Sequence, residues 1–580
     1  MMSPSKSTPA QYDSIVIGSG LGGLSAAAYL AAAGKRVLVL EQYSALGGSS
    51  HVFRRRGRWE FDCGVHYLAE CGPDGIVSTI MRGLALDDRL NWLPMDQSGF
   101  DRIIGPDFEL AVPVGWDAYL SSLLEAFPTE RAAVQRYHSV MRRLGEIANR
   151  STVSSHAAAG RALARSGRAA LFAAMPFAVF LTTCGFSPRS ILALSVQCGA
   201  LASTPLEIPT VAMAGFLQDY VGSGSFYPEG GGQMLAAGFA EVITSHGGEI
   251  RTNARVSAIT LAGRTVTGVR LRDGETILAP TVVSDADIIK TFTELVGLEN
   301  LPLAQRARVK SWSMSRPLIN GFFGIEFDTG VQPNSNYFAI PTWADATSLW
   351  SLVRMSRQLI DGSGFAGNGT EWARQMAARQ PMFVQSSSRR DPGNRRAAPT
   401  ANSTVEVQTI TPFDPRLWGF DGYDLTTGDY RASSTYQQVK TIVLDGMAER
   451  MEQAFPGSSA HIKLAELGSP ATQTRFVGNS GGAPFGLKVS IDQFASLRPG
   501  SSTSIGGLFL AGTSTRWGPG TVGAMLSGVH AAAAVTERDL VTEINSGAVI
   551  ADPAALSVWS GDFDPLSTTR GMSAVAGQEP

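Results

Sequence analysis

Apolar residues are spaced with two different rhythms along this chain. Residues 12–17 (YDSIVI) and 36–40 (RVLVL) are apolar runs of strand length. Between them, the Ala-rich stretch 24–33 has helical length and is stopped by Gly34 as a C-cap. Residues 232–245 predict another helix, followed by a Gly-Gly turn and three strands of a meander up to 287. Residues 507–511 predict a strand ending in Gly512-Thr513. A loop with Gly518, Pro519 and Gly520 leads into a helix predicted over 521–540, with a small-residue face.

The first strand–helix–strand unit carries chemistry. Gly18, Gly20, Leu21, Gly22 and Gly23 form a G-S-G-L-G-G turn directly after the strand, and Glu41 ends the next strand with Gln42 beside it. Gly18 permits the tight turn, Gly20 lets backbone approach a pyrophosphate, and Gly23 lets helix and strand pack closely. The helix N-terminus offers free N–H groups and partial positive charge to phosphates. Glu41 stands where a carboxylate meets ribose hydroxyls, and its charge disfavours a 2′-phosphate. Gly47, Gly48, Ser49 and Ser50 follow. A second glycine pair so close suggests more chain around a larger ligand, which favours FAD over NAD.

Composition narrows the alternatives. The chain has 580 residues, 44% hydrophobic and only 17% charged, enough to bury a large core and too apolar for wholesale disorder. Its net charge of −2 gives no global field for nucleic acid. Four cysteines make neither a disulfide framework nor a zinc ligand set, and seven histidines show no metal-ligand spacing. No metal is expected. The first residues lack an apolar core of the secretory type, so a reducing, cytoplasmic setting is expected. One G-x-S-x-G match, around Ser480, is followed by loop residues rather than the helix a nucleophile elbow needs.

Residues 47–68 (GGSSHVFRRRGRWEFDCGVHYL) resemble the segment after the first βαβ unit in FAD enzymes of the carotenoid desaturase, carotenoid isomerase and retinol saturase group. The GGSS resembles the isomerase pattern. His51, Phe53, Phe61, Asp62, Gly64, His66 and Tyr67 resemble the saturase pattern more. Residues 226–287, 468–487 and 507–532 resemble later blocks of the same group. The resemblance implies a Rossmann-like α/β FAD-binding domain of the glutathione-reductase/amine-oxidase type, with a discontinuous α+β substrate domain. It also implies that Val256 meets the adenine through its backbone, and that Asp285, Gly512, Thr513, Gly520 and Val522 belong to the FAD site. The helix after Gly520 would point its N-terminus at the flavin pyrimidine edge, where it stabilises a reduced anion by up to about 2 kcal/mol.

These segments divide the chain into an FAD-binding domain (11–95, 222–292 and 478–545), a substrate and membrane-facing domain (96–221 and 293–477) and a flexible tail (546–580). The polar run 386–404 reads as an exposed insertion. Residues 131–190 hold nine Arg and one acid, and no residue between Arg168 and Arg189 is charged. Pro176, Gly185 and Pro188 interrupt that apolar stretch. The pattern suggests a monotopic membrane anchor, with a buried core helix and a true span as alternatives. A polyisoprenoid of twenty or more carbons loses on the order of 10 kcal/mol on entering water, so its enzyme should take it from the bilayer. Residues 331–357 and 175–194 are candidates for the tunnel lining.

The resulting expectation is an FAD-dependent oxidoreductase acting on C–C or C=C bonds of a hydrophobic isoprenoid or polyene lipid, by desaturation, saturation or isomerisation. His66 is the candidate acid/base or flavin-edge residue, against a packing role. Asp62 and Asp285 read as structural anchors. The alternatives are an FAD amine oxidase, whose mark would be an aromatic cage that Trp517 alone does not make, and a non-catalytic prenyl-lipid binding protein.

Overall fold

The computed structural model describes residues 11–148, 161 and 164–572. Strands Ser14–Ile17 and Val37–Leu40 pair in parallel within a five-stranded sheet. Its order is Leu508–Leu510, Thr281–Ser284, Ser14–Ile17, Val37–Leu40, Glu249–Arg251, all parallel. The short apolar runs are explained by burial on both faces. Val16, Val37 and Val39 pack on helices Leu21–Ala32, Gln233–Ser245 and Gly520–Thr536. Ile15, Ile17, Leu38 and Leu40 pack on the antiparallel meander Val256–Ala262, Thr265–Leu271 and Thr276–Leu278. Strand Leu508–Leu510 thus brings the C-terminal segment beside Thr281–Ser284, next to the N-terminal turn.

Helices Leu21–Ala32 and Gly520–Thr536 cross closely because both are small-residue helices. A Cβ on Gly528 would lie 2.4 Å from the Gly22 carbonyl oxygen. Ser25 donates to the Met525 carbonyl across the same contact. The first helix begins at Leu21, three residues earlier than the pattern suggested, because Gly22 and Gly23 take helical positions. The last ends at Thr536, where Glu537 turns left-handed, and a short helix, Leu540–Asn545, follows.

A second, seven-stranded sheet runs Ile462–Gly468, Leu318–Ile325, Ser403–Ile410, Met382–Gln385, Asn336–Ala339, Asp101–Gly105, Phe108–Val112. All its pairs are antiparallel except Asn336–Ala339 with Asp101–Gly105. Ile319, Phe323, Val405, Val407 and Val384 share an apolar core with Val439, Val443 and Met447 of helix Ser434–Ala454. Strand alternation turns Asn320, Phe322, Glu406, Gln408, Phe383 and Gln385 to the opposite face.

The apolar stretch near 169–188 breaks at the expected interruptions, into Ala170–Ala173 and Phe177–Cys184 on either side of Pro176, with Gly185 left-handed. Phe177, Phe180 and Leu181 are fully buried in the core, while Leu171 and Val179 stay exposed. Among the described residues no helix is long and apolar enough to cross a membrane. Arg150 lies outside the described residues. The run 386–404 is not an exposed insertion at its start: Ser386, Ser387, Arg390 and Asp391 are buried. Up to residue 572 the supposed flexible tail is held down. Arg54 makes a two-point ion pair with Asp564, Leu46 donates to the Thr569 carbonyl, and Gln233 bonds Thr569 Oγ1. The polar Ser, Thr and Asp residues of that segment supply hydrogen bonds that its composition alone does not locate.

Candidate active site

One cavity of about 600 Å³ runs from the glycine turn to the second sheet. Its first part is backbone. Gly18, at φ +95°, turns the chain after the first strand. Gly18, Gly20, Leu21 and Gly22 line the cavity, and Gly47, Gly48, Ser49 and Ser50 face them. Gly20 and Gly47 form a backbone bridge, and a Cβ on Gly48 would lie 3.0 Å from the Gly20 Cα. Gly23 does not line the cavity. Its added Cβ would lie 2.3 Å from the Gly18 carbonyl oxygen, so its absence lets turn and helix pack.

Gly512, Thr513, Gly520 and Val522 line the same cavity from the other end of the chain. A Cβ on Gly22 would lie 2.5 Å from the Gly512 amide nitrogen, so the two ends of the chain meet backbone to backbone. Neither helix Leu21–Ala32 nor Gly520–Thr536 has a side-chain N-cap, and both N-termini open on the cavity. Such ends carry unpaired N–H groups and partial positive charge. Val256, Glu41 and Gln42 complete this part.

Glu41 is already engaged. Its Oε2 accepts from the Ser19 amide at 2.8 Å and hydroxyl at 2.7 Å, and its Oε1 from the Tyr43 amide at 2.7 Å. It braces the turn and keeps lone pairs free for a ligand. The carboxyl of Asp285 sits against Gly20, Gly23 and Gly512. Burial first, and Glu41 among the further causes, push it up to about 7, against backbone hydrogen bonds from Gly23 and Gly20. Ser480 donates through its amide and hydroxyl to Asp287 and serves the loop.

Beyond the glycine cradle the walls become apolar. Val196, Ala200, Leu201, Phe216, Phe338 and Phe383 line that part. Contrary to expectation, the stretch 331–357 gives the cavity wall only Phe338, and 175–194 gives it no residue. The latter stretch is spent on the helical core. Trp517 also stays out of the lining and stacks on His530 at 4.0 Å.

His66 lines the cavity with both ring nitrogens hydrogen-bonded, Nδ1 to Gln385 at 3.0 Å and Nε2 to Gln408 at 2.5 Å. Burial, then the charge of Arg390, holds its pKa down to about 3. Behind it lies a buried polar network. Asp62 accepts from Tyr227, from Ser387 at 2.8 Å and from the Gly232 amide at 3.1 Å. Gln385 donates to Glu406 at 2.5 Å. Burial raises the carboxyls of Asp62 and Glu406, and Arg390 opposes that rise. Sequence reading missed Gln385, Arg390, Glu406 and Gln408. The alternation in STVEVQTI at 403–410 was the available signal, since it puts Glu406 and Gln408 on one face with Val405 and Val407 on the other.

Among the described residues no group of three His, Cys, Asp or Glu is placed to hold a metal ion. The cradle's open helix N-termini, its side-chain-free backbone and its continuation into a second compartment fit a flavin dinucleotide. Residues 21–289 match the model for flavin containing amine oxidoreductases. The chain is an FAD-dependent oxidoreductase. It is 27% identical to an all-trans-retinol 13,14-reductase of Macaca fascicularis, over 92% of this chain and 87% of that protein. It is 24% identical to prolycopene isomerase 2 of an Oncidium hybrid cultivar, over 90% of this chain and 83% of that protein. Cyclohexylamine oxidase from Brevibacterium oxydans shares the fold, with a TM-score of 0.57 at 16% identity, over 91% of this chain and 99% of that one. The chain's cofactor, FAD, supplies the redox chemistry.

Proposed function

We propose that this flavoprotein acts on C–C or C=C bonds of a hydrophobic polyene or isoprenoid lipid. The observation that carries the reading is the single cavity that joins a dinucleotide cradle to a compartment walled by Phe216, Phe338, Phe383 and Leu201. The names of the relatives, a retinol reductase and a prolycopene isomerase, point to the same substrate class. Bound FAD supplies hydride exchange at its N5. The chain's own residues do the rest. Gly18, Gly20, Leu21, Gly22, Gly47, Gly48, Ser49 and Ser50 hold the pyrophosphate and its approaches. Glu41, Gln42 and Val256 hold the adenosine. Asp285 organises the turn, and Gly512, Thr513, Gly520 and Val522 meet the flavin. On this reading residues 11–95, 222–292 and 478–545 bind FAD, and 96–221 and 293–477 bind the lipid. His66, neutral and held on both sides, is a positioning residue in the cavity wall rather than a general acid.

The apolar compartment excludes water, which the lipid requires. Exposed Leu171 and Val179, near exposed Arg165 and Arg168, would rest on an anionic membrane surface, from which the lipid is drawn. Sedimentation with anionic liposomes at low salt is the expected result, and a protein left in the supernatant would contradict this part.

Anaerobic incubation of the FAD-loaded enzyme with all-trans-retinol and with a poly-cis carotene tests the function. Bleaching of the flavin means that the lipid is oxidised. Lipid-dependent reoxidation of dithionite-reduced enzyme means saturation, and isomer conversion without net bleaching means isomerisation. Bleaching by amines alone, with no response to any polyene, would replace this reading with an amine oxidase.

A further inference from the structure

Arg390 is 2% exposed, inside a segment whose composition suggested a surface loop. Its guanidinium donates to Gln385 Oε1 and to Asn336 Oδ1. An arginine can only donate, so each amide must turn its oxygen toward it. The Gln385 NH₂ then points the other way, where it donates to Glu406 and to His66 Nδ1 at 3.0 Å. His66 Nδ1 is therefore an acceptor. In a neutral ring the proton must then sit on Nε2.

This order reaches the cavity. The Gln408 amide nitrogen and His66 Nε2 lie 2.5 Å apart, a contact that two N–H donors cannot make. Oxygen and nitrogen of an amide are assigned from their partners. The Gln408 amide is therefore turned end for end, with its oxygen accepting from His66 Nε2–H. Its NH₂ then takes the outer position, which has no partner among the described residues and belongs to a cavity-lining side chain.

Gln408 stands at a boundary. Across the sheet it registers with Phe383 on one side and Asn320 on the other. Phe383 belongs to the apolar compartment, and Asn320 donates to the carbonyl of Cys63, in the strand region that follows the GGSS loop. The amide thus lies where the cradle's ligand would meet the ligand of the apolar part.

We infer that Arg390, through Gln385 and His66, fixes Gln408 as a hydrogen-bond donor to the cavity, where it takes a lone-pair acceptor on the bound ligands. Arg390, Gln385 and His66 are positioning residues and Gln408 is the contact. The acceptor is either an atom at the flavin edge or an oxygen on the lipid. Only the second option rests on the polyene reading.

The test begins without turnover. NMR of FAD-loaded protein carrying ¹⁵N-histidine, with the His66 signals assigned by their loss in His66→Asn, reads the tautomer directly. The Nε2–H form is expected, neutral throughout the range from about pH 5 to 8. In Arg390→Met, or in Gln385→Leu should that variant not fold, the fixed tautomer should be lost. An Nδ1–H ring in the wild type would overturn the inference. Gln408→Leu and Gln408→Glu then locate the acceptor. A shifted flavin absorption spectrum in Gln408→Leu without lipid places it on the flavin. An unchanged spectrum, with about a tenfold loss of preference for a polyene alcohol over its hydrocarbon, places it on the lipid. If neither moves, the donor touches nothing and the proposal fails. If no polyene reacts at all, the function reading fails, while the tautomer and spectrum still decide this one.

Discussion

Gly22→Ala is the sharpest perturbation of the contact between the two ends of the chain. The added methyl would sit 2.5 Å from the Gly512 amide nitrogen and 2.7 Å from both the Gly512 Cα and Asp285 Oδ1. Ordinary carbon contacts need roughly 3.5 Å, so about 1 Å must open between two backbones, neither of which has a rotamer to yield. Overpacking of this kind costs about 1–3 kcal/mol. Because the same two backbones line the cavity, the loss should appear in cofactor affinity. One to three kcal/mol corresponds to about a 5- to 150-fold weaker Kd. FAD titration into apo-protein, followed by flavin fluorescence, measures it, and thermal melts with and without FAD separate stability from binding. Gly561→Ala is the control, because nothing lies within 4 Å of its added Cβ and its φ is ordinary. A Gly22→Ala protein that binds FAD and melts like the wild type would refute the reasoning.

Other outcomes follow from particular side chains. Asp285 holds a proton in the folded state up to about pH 7 that the unfolded chain releases near the ordinary value of 3.8. Apo-protein stability from this group should therefore fall as pH rises through that window, by on the order of 4 kcal/mol at most. His66 works with the opposite sign between about 3 and its ordinary value of 6.5, so the difference in melting between wild type and Asp285→Asn is the quantity to follow. A difference that does not vary with pH would contradict the assignment. Thr569→Val leaves Gln233 short of a partner and should cost about 1–2 kcal/mol in denaturant melts; no loss would mean that the C-terminal segment does not brace the Leu46–Val52 region. Burial pushes the Cys63 thiol up, and Cys71, Cys184 and Cys198 are shifted the same way. Folded protein should react with thiol reagent at pH 8 at less than one cysteine per chain until it is denatured; one fast thiol would contradict this.

The cradle was legible because its information is local. The glycine turn, the helix stop at Gly34 and the acid at Glu41 lie within one βαβ unit, and the spacing alone orders them. The partnership of Gly22 with Gly512 was reachable only through a resemblance, since the intervening chain passes through a second sheet. The polar network was legible only in part. His66 and Asp62 stood out through a resemblance, but Gln385, Arg390, Glu406 and Gln408 come from separated segments, and each of them taken singly fits a solvated surface. Arg390 in particular sits in a run of Ser, Arg, Asp and Gly, where burial can be known only once strands Met382–Gln385 and Ser403–Ile410 are paired. The stretch near 169–188 was ambiguous for a related reason. An apolar run says that burial is needed, but not whether membrane or core provides it, and here helices Arg131–Ile147 and Thr210–Leu217 take up Phe177, Phe180 and Leu181.

The central claim is that one FAD is gripped by both ends of this chain. Amide hydrogen exchange during stepwise addition of FAD to apo-protein tests it most directly. The account predicts that residues 18–23 and 512–524 gain protection together, at the same FAD concentration, and saturate at one FAD per chain. Protection confined to the N-terminal turn, or two segments saturating at different concentrations, would contradict it.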